Sequence, residues 1–181
     1  MKKFTFLFFL VFLSMSFSAQ KMTEYKFGTP FNISFPVGYV KVYDLNLVAA
    51  AQFTNAVADK YAIVVQTEKD NLTFVQVEFA NISEAGNFYF KNLKDGLEED
   101  SFKIQSAPKE ISINGYNAVE SIIEGTLNDT ESGTSTQLFY YFAIVETPKN
   151  YYQILMWSDV KNKNKYLEEF RKIANTFKEL K

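Results

Sequence analysis

The hydrophobic positions divide the chain near residue 20. Lys2 and Lys3 open it, residues 4–13 are apolar apart from Thr5, and residues 14–19 are rich in small side chains, the three-part pattern of a secretory leader. At about 1.5 Å per residue, a helix over residues 4–17 reaches roughly 20 Å, short of a hydrocarbon core of about 30 Å. The stretch therefore reads as a signal peptide over residues 1–19, not as a membrane anchor. Processing after Ala19 sets the bulky Phe17 where a small residue is preferred, so processing after Ser18, with Ser16 upstream, is the alternative.

Past the leader the pattern shortens into strands and two amphipathic helices. Residues 31–35 read as a strand punctuated by Pro36 and Gly38, and Tyr39, Val40 and Val42 resume an extended pattern before small residues at 48–51. Residues 61–67 carry the run Ile63, Val64, Val65 expected of a strand buried on both faces. Residues 72–79 fit either period and read as a loop or short helix. A helix follows, with Asn81 or Ser83 as cap, Glu84 placed as in a capping box, and Ala85, Tyr89, Leu93 and Leu97 as its buried stripe. Gly86 and Gly96 weaken it by about 1 kcal/mol each relative to Ala.

Asn114-Gly115 is the preferred pair for a two-residue type I′ turn. It sets Ile113 opposite Tyr116, Ile111 opposite Ala118 and Lys109 opposite Glu120, pairing apolar with apolar and plus with minus. A polar loop at 128–133 leads to a second hairpin, about 136–146 and 151–157, turned through Pro148-Lys149. Placing Glu146 opposite Tyr151 puts Phe142 against Leu155 and Tyr140 against Trp157 on one face. Ala143 against Ile154 and Tyr141 against Met156 fall on the other. Both faces are apolar, so both are expected to be covered. A closing amphipathic helix takes Asn162 or Asn164 as cap and buries Tyr166, Phe170, Ile173, Ala174 and Phe177, with Arg171, Lys172 and Lys178 late in it, where the dipole favours cations.

Composition narrows the chemistry. Residues 20–181 form one ordinary domain by length. The leader holds two of the nineteen Lys and Arg and none of the twenty-one Asp and Glu, which leaves the remainder at a net charge of −4 and argues against a nucleic-acid partner. There is no Cys and no His, so disulfides, a lipidated N-terminal Cys, thiolate and imidazole metal sites, and every Ser-His or Cys-His nucleophile pair are excluded.

Residues 31–39 (Phe-Asn-Ile-Ser-Phe-Pro-Val-Gly-Tyr), the Asn114-Gly115 hairpin, the aromatic strand pair around Tyr140 and Trp157, and the closing helix running to Asn175-Thr176-Phe177-Lys178 together resemble the PsbP-like superfamily. The resemblance implies an α+β fold, an antiparallel β-sheet flanked by helices in an α/β/α sandwich. It also implies an exported accessory subunit or interaction module rather than an enzyme. It brings no catalytic motif and no metal-ligand set to carry over.

Three sets of residues invite a functional reading. Ser106-Ala107-Pro108-Lys109 and Ser158-Asp159-Val160-Lys161 match the S-x-x-K pattern of penicillin-recognising enzymes, but the companion elements are missing. Asp95, Glu98, Glu99 and Asp100 read as a solvated helix end, with a cation site or a docking patch for a cationic partner as the sharper alternative. The aromatic hairpin is mostly core, and Tyr140, Tyr151 and Trp157 are the residues selected from it as ligand- or partner-binding, since Tyr and Trp join an apolar body to a polar tip. The sequence thus predicts a monomeric, extracytoplasmic, non-enzymatic module for a protein partner, with no cofactor and no metal. The alternative is a small carrier for an apolar ligand.

Overall fold

A computed structural model describes residues 21–26, 30–94, 97, 101–129 and 133–180. The leader and the acidic positions Asp95, Glu98, Glu99 and Asp100 lie outside the described residues. In chain order the elements are β1 (Met22–Lys26), β2 (Phe31–Pro36), β3 (Val40–Lys41), β4 (Ala51–Asn55), β5 (Lys60–Glu68), α1 (Lys69–Phe74), α2 (Ile82–Lys94), β6 (Lys103–Ile113), β7 (Tyr116–Asp129), β8 (Thr134–Glu146), β9 (Asn150–Asp159), α3 (Lys163–Ala174) and β10 (Lys178–Glu179). A seven-stranded antiparallel sheet runs β3-β4-β5-β9-β8-β7-β6, and a three-stranded one runs β1-β2-β10.

Two apolar cores follow from the alternation of the central strands. On one face Phe139, Tyr141, Ala143 and Val145 of β8 pack with Phe31, Ile33 and Phe35 of β2 and with Phe170 and Ile173 of α3. On the other, Tyr140, Phe142 and Ile144 meet Ala85, Tyr89 and Phe90 of α2. The α/β/α sandwich therefore has one outer layer of helix and one in which α3 shares the cover with the small sheet.

Both hairpins fold in the register their side chains dictate. Ile113 faces Tyr116, Ile111 faces Ala118 and Lys109 faces Glu120, while Asn114 and Gly115 both adopt positive φ, as a type I′ turn requires. Tyr140 faces Trp157, Phe142 faces Leu155 and Ala143 faces Ile154. The two hairpins also join, since β7 pairs with β8 along its whole length, from Asn117 opposite Glu146 to Asp129 opposite Thr134.

The helices are shorter than the sequence stripe. α2 starts as expected, with Asn81 Oδ1 accepting from the Glu84 amide at 2.9 Å, but Glu84 accepts from the Ala80 amide rather than that of Asn81. It ends at Lys94, and Leu97 is buried beyond it. α3 ends at Ala174 because Thr176 leaves the helix: its hydroxyl donates to the Ile173 carbonyl at 2.7 Å and accepts from the Ser34 amide at 2.8 Å. Phe177 is still buried, stacked on Phe31 at 5.7 Å, and Lys178 belongs to β10. That short strand is bolted down by Glu179, whose Oε1 accepts from Thr147 Oγ1, Asn150 Nδ2 and the Tyr152 hydroxyl at 2.8, 2.9 and 3.0 Å. Asn114 of the type I′ turn adds a bond from its Nδ2 to the Phe177 carbonyl at 3.0 Å.

A buried ion pair, invisible in the apolar pattern, ties α3 to β5. Lys60 Nζ lies 2.5 Å from Glu169 Oε1, their side chains being 6% and 17% exposed. The Tyr166 and Tyr39 rings flank the ammonium at 4.7 and 5.0 Å, and the Tyr39 hydroxyl donates to the same carboxylate at 3.2 Å.

Candidate functional site

The S-x-x-K serines are engaged in the sheet. Ser106 sits at a bulge of β6, where its Oγ accepts from the Ile122 amide and its carbonyl accepts from Ser121 Oγ, both at 2.9 Å. Ser158 is buried near the end of β9, and Lys161 pairs with Asp159 at 2.8 Å. Among the described residues no three His, Cys, Asp or Glu side chains gather as a metal-ligand set.

Of the aromatic residues selected from the sequence, the structure brings two together and sets the third apart. Tyr140 and Trp157 are cross-strand partners with ring centroids 6.2 Å apart, and Trp157 stacks on Tyr61 of β5 at 5.4 Å. Tyr151 lies on the same face of β9 but six residues from Trp157, roughly 20 Å along the strand. It opens onto a different feature, a groove of about 260 Å³ lined by Lys69, Leu72, Thr73, Val77, Glu78, Phe79, Glu146 and Tyr151.

The groove is built by the way α1 stops. The Lys69 amide donates to the Lys149 carbonyl at 2.9 Å, docking the start of α1 on the β8–β9 turn. One turn later the helix closes in a Schellman motif: the Val77 amide reaches the Leu72 carbonyl at 2.9 Å and the Gln76 amide reaches the Thr73 carbonyl at 3.0 Å. Gln76 takes the left-handed position, φ +60°, where glycine is usual. The motif brings Leu72, Thr73 and Val77 to the groove and leaves Phe74 87% and Val75 59% exposed. Phe79 lines the groove as well. Its ring meets Tyr151 edge-on at 5.5 Å and is backed by Phe88 and Tyr89 of α2 at 5.3 and 6.1 Å.

At the polar end, Lys69 Nζ bonds Glu146 Oε1 at 2.7 Å and lies 4.7 Å from the Tyr151 ring centroid, while the Tyr151 hydroxyl donates to the same oxygen at 3.4 Å. Burial, and then the Glu146 charge and hydrogen bond, push the Tyr151 phenol up to about 12, so at neutral pH it is a donor. A second recess, of about 110 Å³, is lined by Lys103, Glu124, Thr126, Gln137 and Leu138 among others, with Glu124 held by Lys163 at 2.5 Å. Sequence reasoning selected Tyr151 but missed Lys69, Phe74, Val75, Glu78 and Phe79, because a Schellman turn without its glycine leaves no signature and residues 72–79 fitted two periods.

These layers, strand order and helix placements define the PsbP-like α+β fold. The chain superposes on cyanobacterial PsbP (CyanoP) from Synechocystis with a TM-score of 0.62 and 11% identity, covering 91% of this chain and 95% of that one. On Mog1 the score is 0.59 at 12% identity, covering 88% and 96% of the two chains. On LpqN of Mycobacterium tuberculosis, a protein involved in cell envelope biogenesis, it is 0.55 at 8% identity, covering 90% and 92%. No protein-family model matches the sequence, and no curated protein matches it. Among the described residues, no helix is long and apolar enough to cross a membrane.

Proposed function

We propose that this chain is an exported, non-enzymatic interaction module that docks a protein partner at the α1 corner, around Tyr151. The observation that carries the reading is the pair Phe74 and Val75, held out in solvent next to a groove of mixed polar and apolar lining by a turn whose Gln76 sits in a conformation costly for a side chain. Large apolar residues presented this way lose free energy until covered, at about 25 cal/mol per Å². A carrier fits less well, since the groove falls below the roughly 300 Å³ at which small-molecule pockets begin and no residue of α2 or α3 lines it. Export rests on the leader pattern of residues 1–19, and the non-enzymatic reading on the lack of His and Cys and on serines engaged in the sheet.

The test is a photo-crosslinking amino acid at position 74, compared with one at the exposed Lys172 on α3, in cells that make the protein. The expected outcome is a discrete protein adduct from position 74 and none from position 172. No adduct at 74, or the same adducts at both, removes the assignment.

A further inference from the structure

We infer that the groove beside Tyr151 takes an apolar side chain of the partner flanked by a lysine or arginine, the apolar group seated between Leu72, Val77, Phe79 and Tyr151 and the cation meeting Glu78. This rests on the docking reading above and adds the chemistry of the partner.

The apolar half of the lining, Leu72, Val77, Phe79 and Tyr151, is preformed. Phe79 is held from behind by α2 through Phe88 and Tyr89, and Leu72 and Val77 are set by the hydrogen bonds that end α1. A site that needs no rearrangement loses little of its binding energy to ordering. Its volume of about 260 Å³ suits one anchoring side chain, and the exposed Phe74 and Val75 lie in the chain between the lining residues Thr73 and Val77.

Charge then selects what accompanies the anchor. Three ionic groups line the groove: Lys69, Glu146 and Glu78. Lys69 is occupied twice over, by the Glu146 carboxylate and by the Tyr151 ring, so neither it nor Glu146 offers a net charge. Glu78 has no hydrogen-bond or ion-pair partner among the described residues. Asp70, in the first turn of α1, has the same sign, and the exposed Lys149 of the β8–β9 turn is not part of the lining. The uncompensated charge at the groove is thus negative, and an anionic partner segment would meet repulsion there.

The test uses isotopically labelled protein and three acetylated, amidated tetrapeptides: glycine-leucine-arginine-glycine, its glutamate counterpart with leucine retained, and its alanine counterpart with arginine retained. Expected are amide shifts within 72–79 and 146–151 on adding the leucine-arginine peptide, with an apparent Kd at least about fivefold below either counterpart at low salt. The preference over the glutamate peptide should shrink as salt screens the pair and disappear in Glu78→Gln, whose unperturbed amide spectrum elsewhere reports an intact fold. No shifts with the leucine-arginine peptide at about 10 mM, equal response to the glutamate peptide, or a preference that survives Glu78→Gln overturns the inference. A crosslink at position 74 combined with any of those results keeps the docking site and rejects only the chemistry of its occupant.

Discussion

Gly86 of α2 lies directly against Val119 of β7: a Cβ built on Gly86 would stand 2.5 Å from Val119 Cγ1. The helix therefore approaches the sheet more closely at this turn than any larger residue permits. Gly86→Ala would gain about 1 kcal/mol of helix propensity, but overpacking typically costs 1–3 kcal/mol, so a net loss is expected in urea unfolding. Gly86→Ala combined with Val119→Ala should lose less than the sum of the two single changes. A stabilised Gly86→Ala protein would mean that α2 can lift off the sheet freely.

Gln76 occupies the left-handed position of the turn that ends α1. Gln76→Gly should raise stability by about 0.5–1 kcal/mol, because relief of the backbone strain exceeds the added freedom of the unfolded chain. The check is the urea midpoint at unchanged m-value. A loss of stability would show that the Gln76 side chain makes contacts that outweigh the strain.

Lys60 and Glu169 form a nearly buried pair, with Tyr39 donating to the carboxylate. Lys60→Met removes the cation beside the partly buried carboxylate, for an expected loss of about 1.5–3 kcal/mol. Adding Glu169→Leu should recover a large part of it, since an apolar pair of similar volume needs no solvation. A cost below about 1 kcal/mol for the single change would mean that the ion pair contributes little net stability.

Burial pushes the Tyr140 phenol up to about 12 from an ordinary 10.0. The folded state holds the proton more tightly, so the stabilisation is complete below pH 10.0 and is lost as pH rises from there through about 12. Tyr140→Phe should flatten the alkaline fall of stability over that window, read from urea unfolding at a series of pH values. An unchanged slope would mean that Tyr140 does not titrate with unfolding.

Register was legible in the sequence wherever the side chains left one solution. The Asn114-Gly115 turn admits one pairing, and setting Glu146 opposite Tyr151 places Phe142 against Leu155 and Tyr141 against Met156, as found. β1 and β4 were not legible. Met22–Lys26 lies on a sheet edge with Thr23 and Glu24 exposed, and Ala51–Asn55 carries only Phe53 as a large apolar residue, so pairing with β2 and β5 decides their form. Gly86 read as a helix weakener because close approach to Val119 is a tertiary fact. The stripe of α3 ran on through Phe177 because that side chain is buried too, although its backbone has already left the helix. As for the groove, Tyr151 was reachable through its aromatic neighbours, whereas residues 72–79 fitted two periods and so gave no exposed face to single out.

The bolt formed by Glu179 sets a schedule for folding. β10 is hydrogen-bonded to β2, Leu180 donates from its amide to the Pro30 carbonyl, and Phe177 stacks on Phe31, so the core beside α3 is assembled from segments nearly 150 residues apart. A ribosome delivering about 5–20 residues per second releases β2 many seconds before its partner exists. In that interval Phe31, Ile33 and Phe35 have no cover from β10 or α3, and closure of so long a loop makes the final step slow. The α3 side of the core therefore cannot close until β10 is present, whereas the pairing of β4 to β9 needs no residue beyond Asp159.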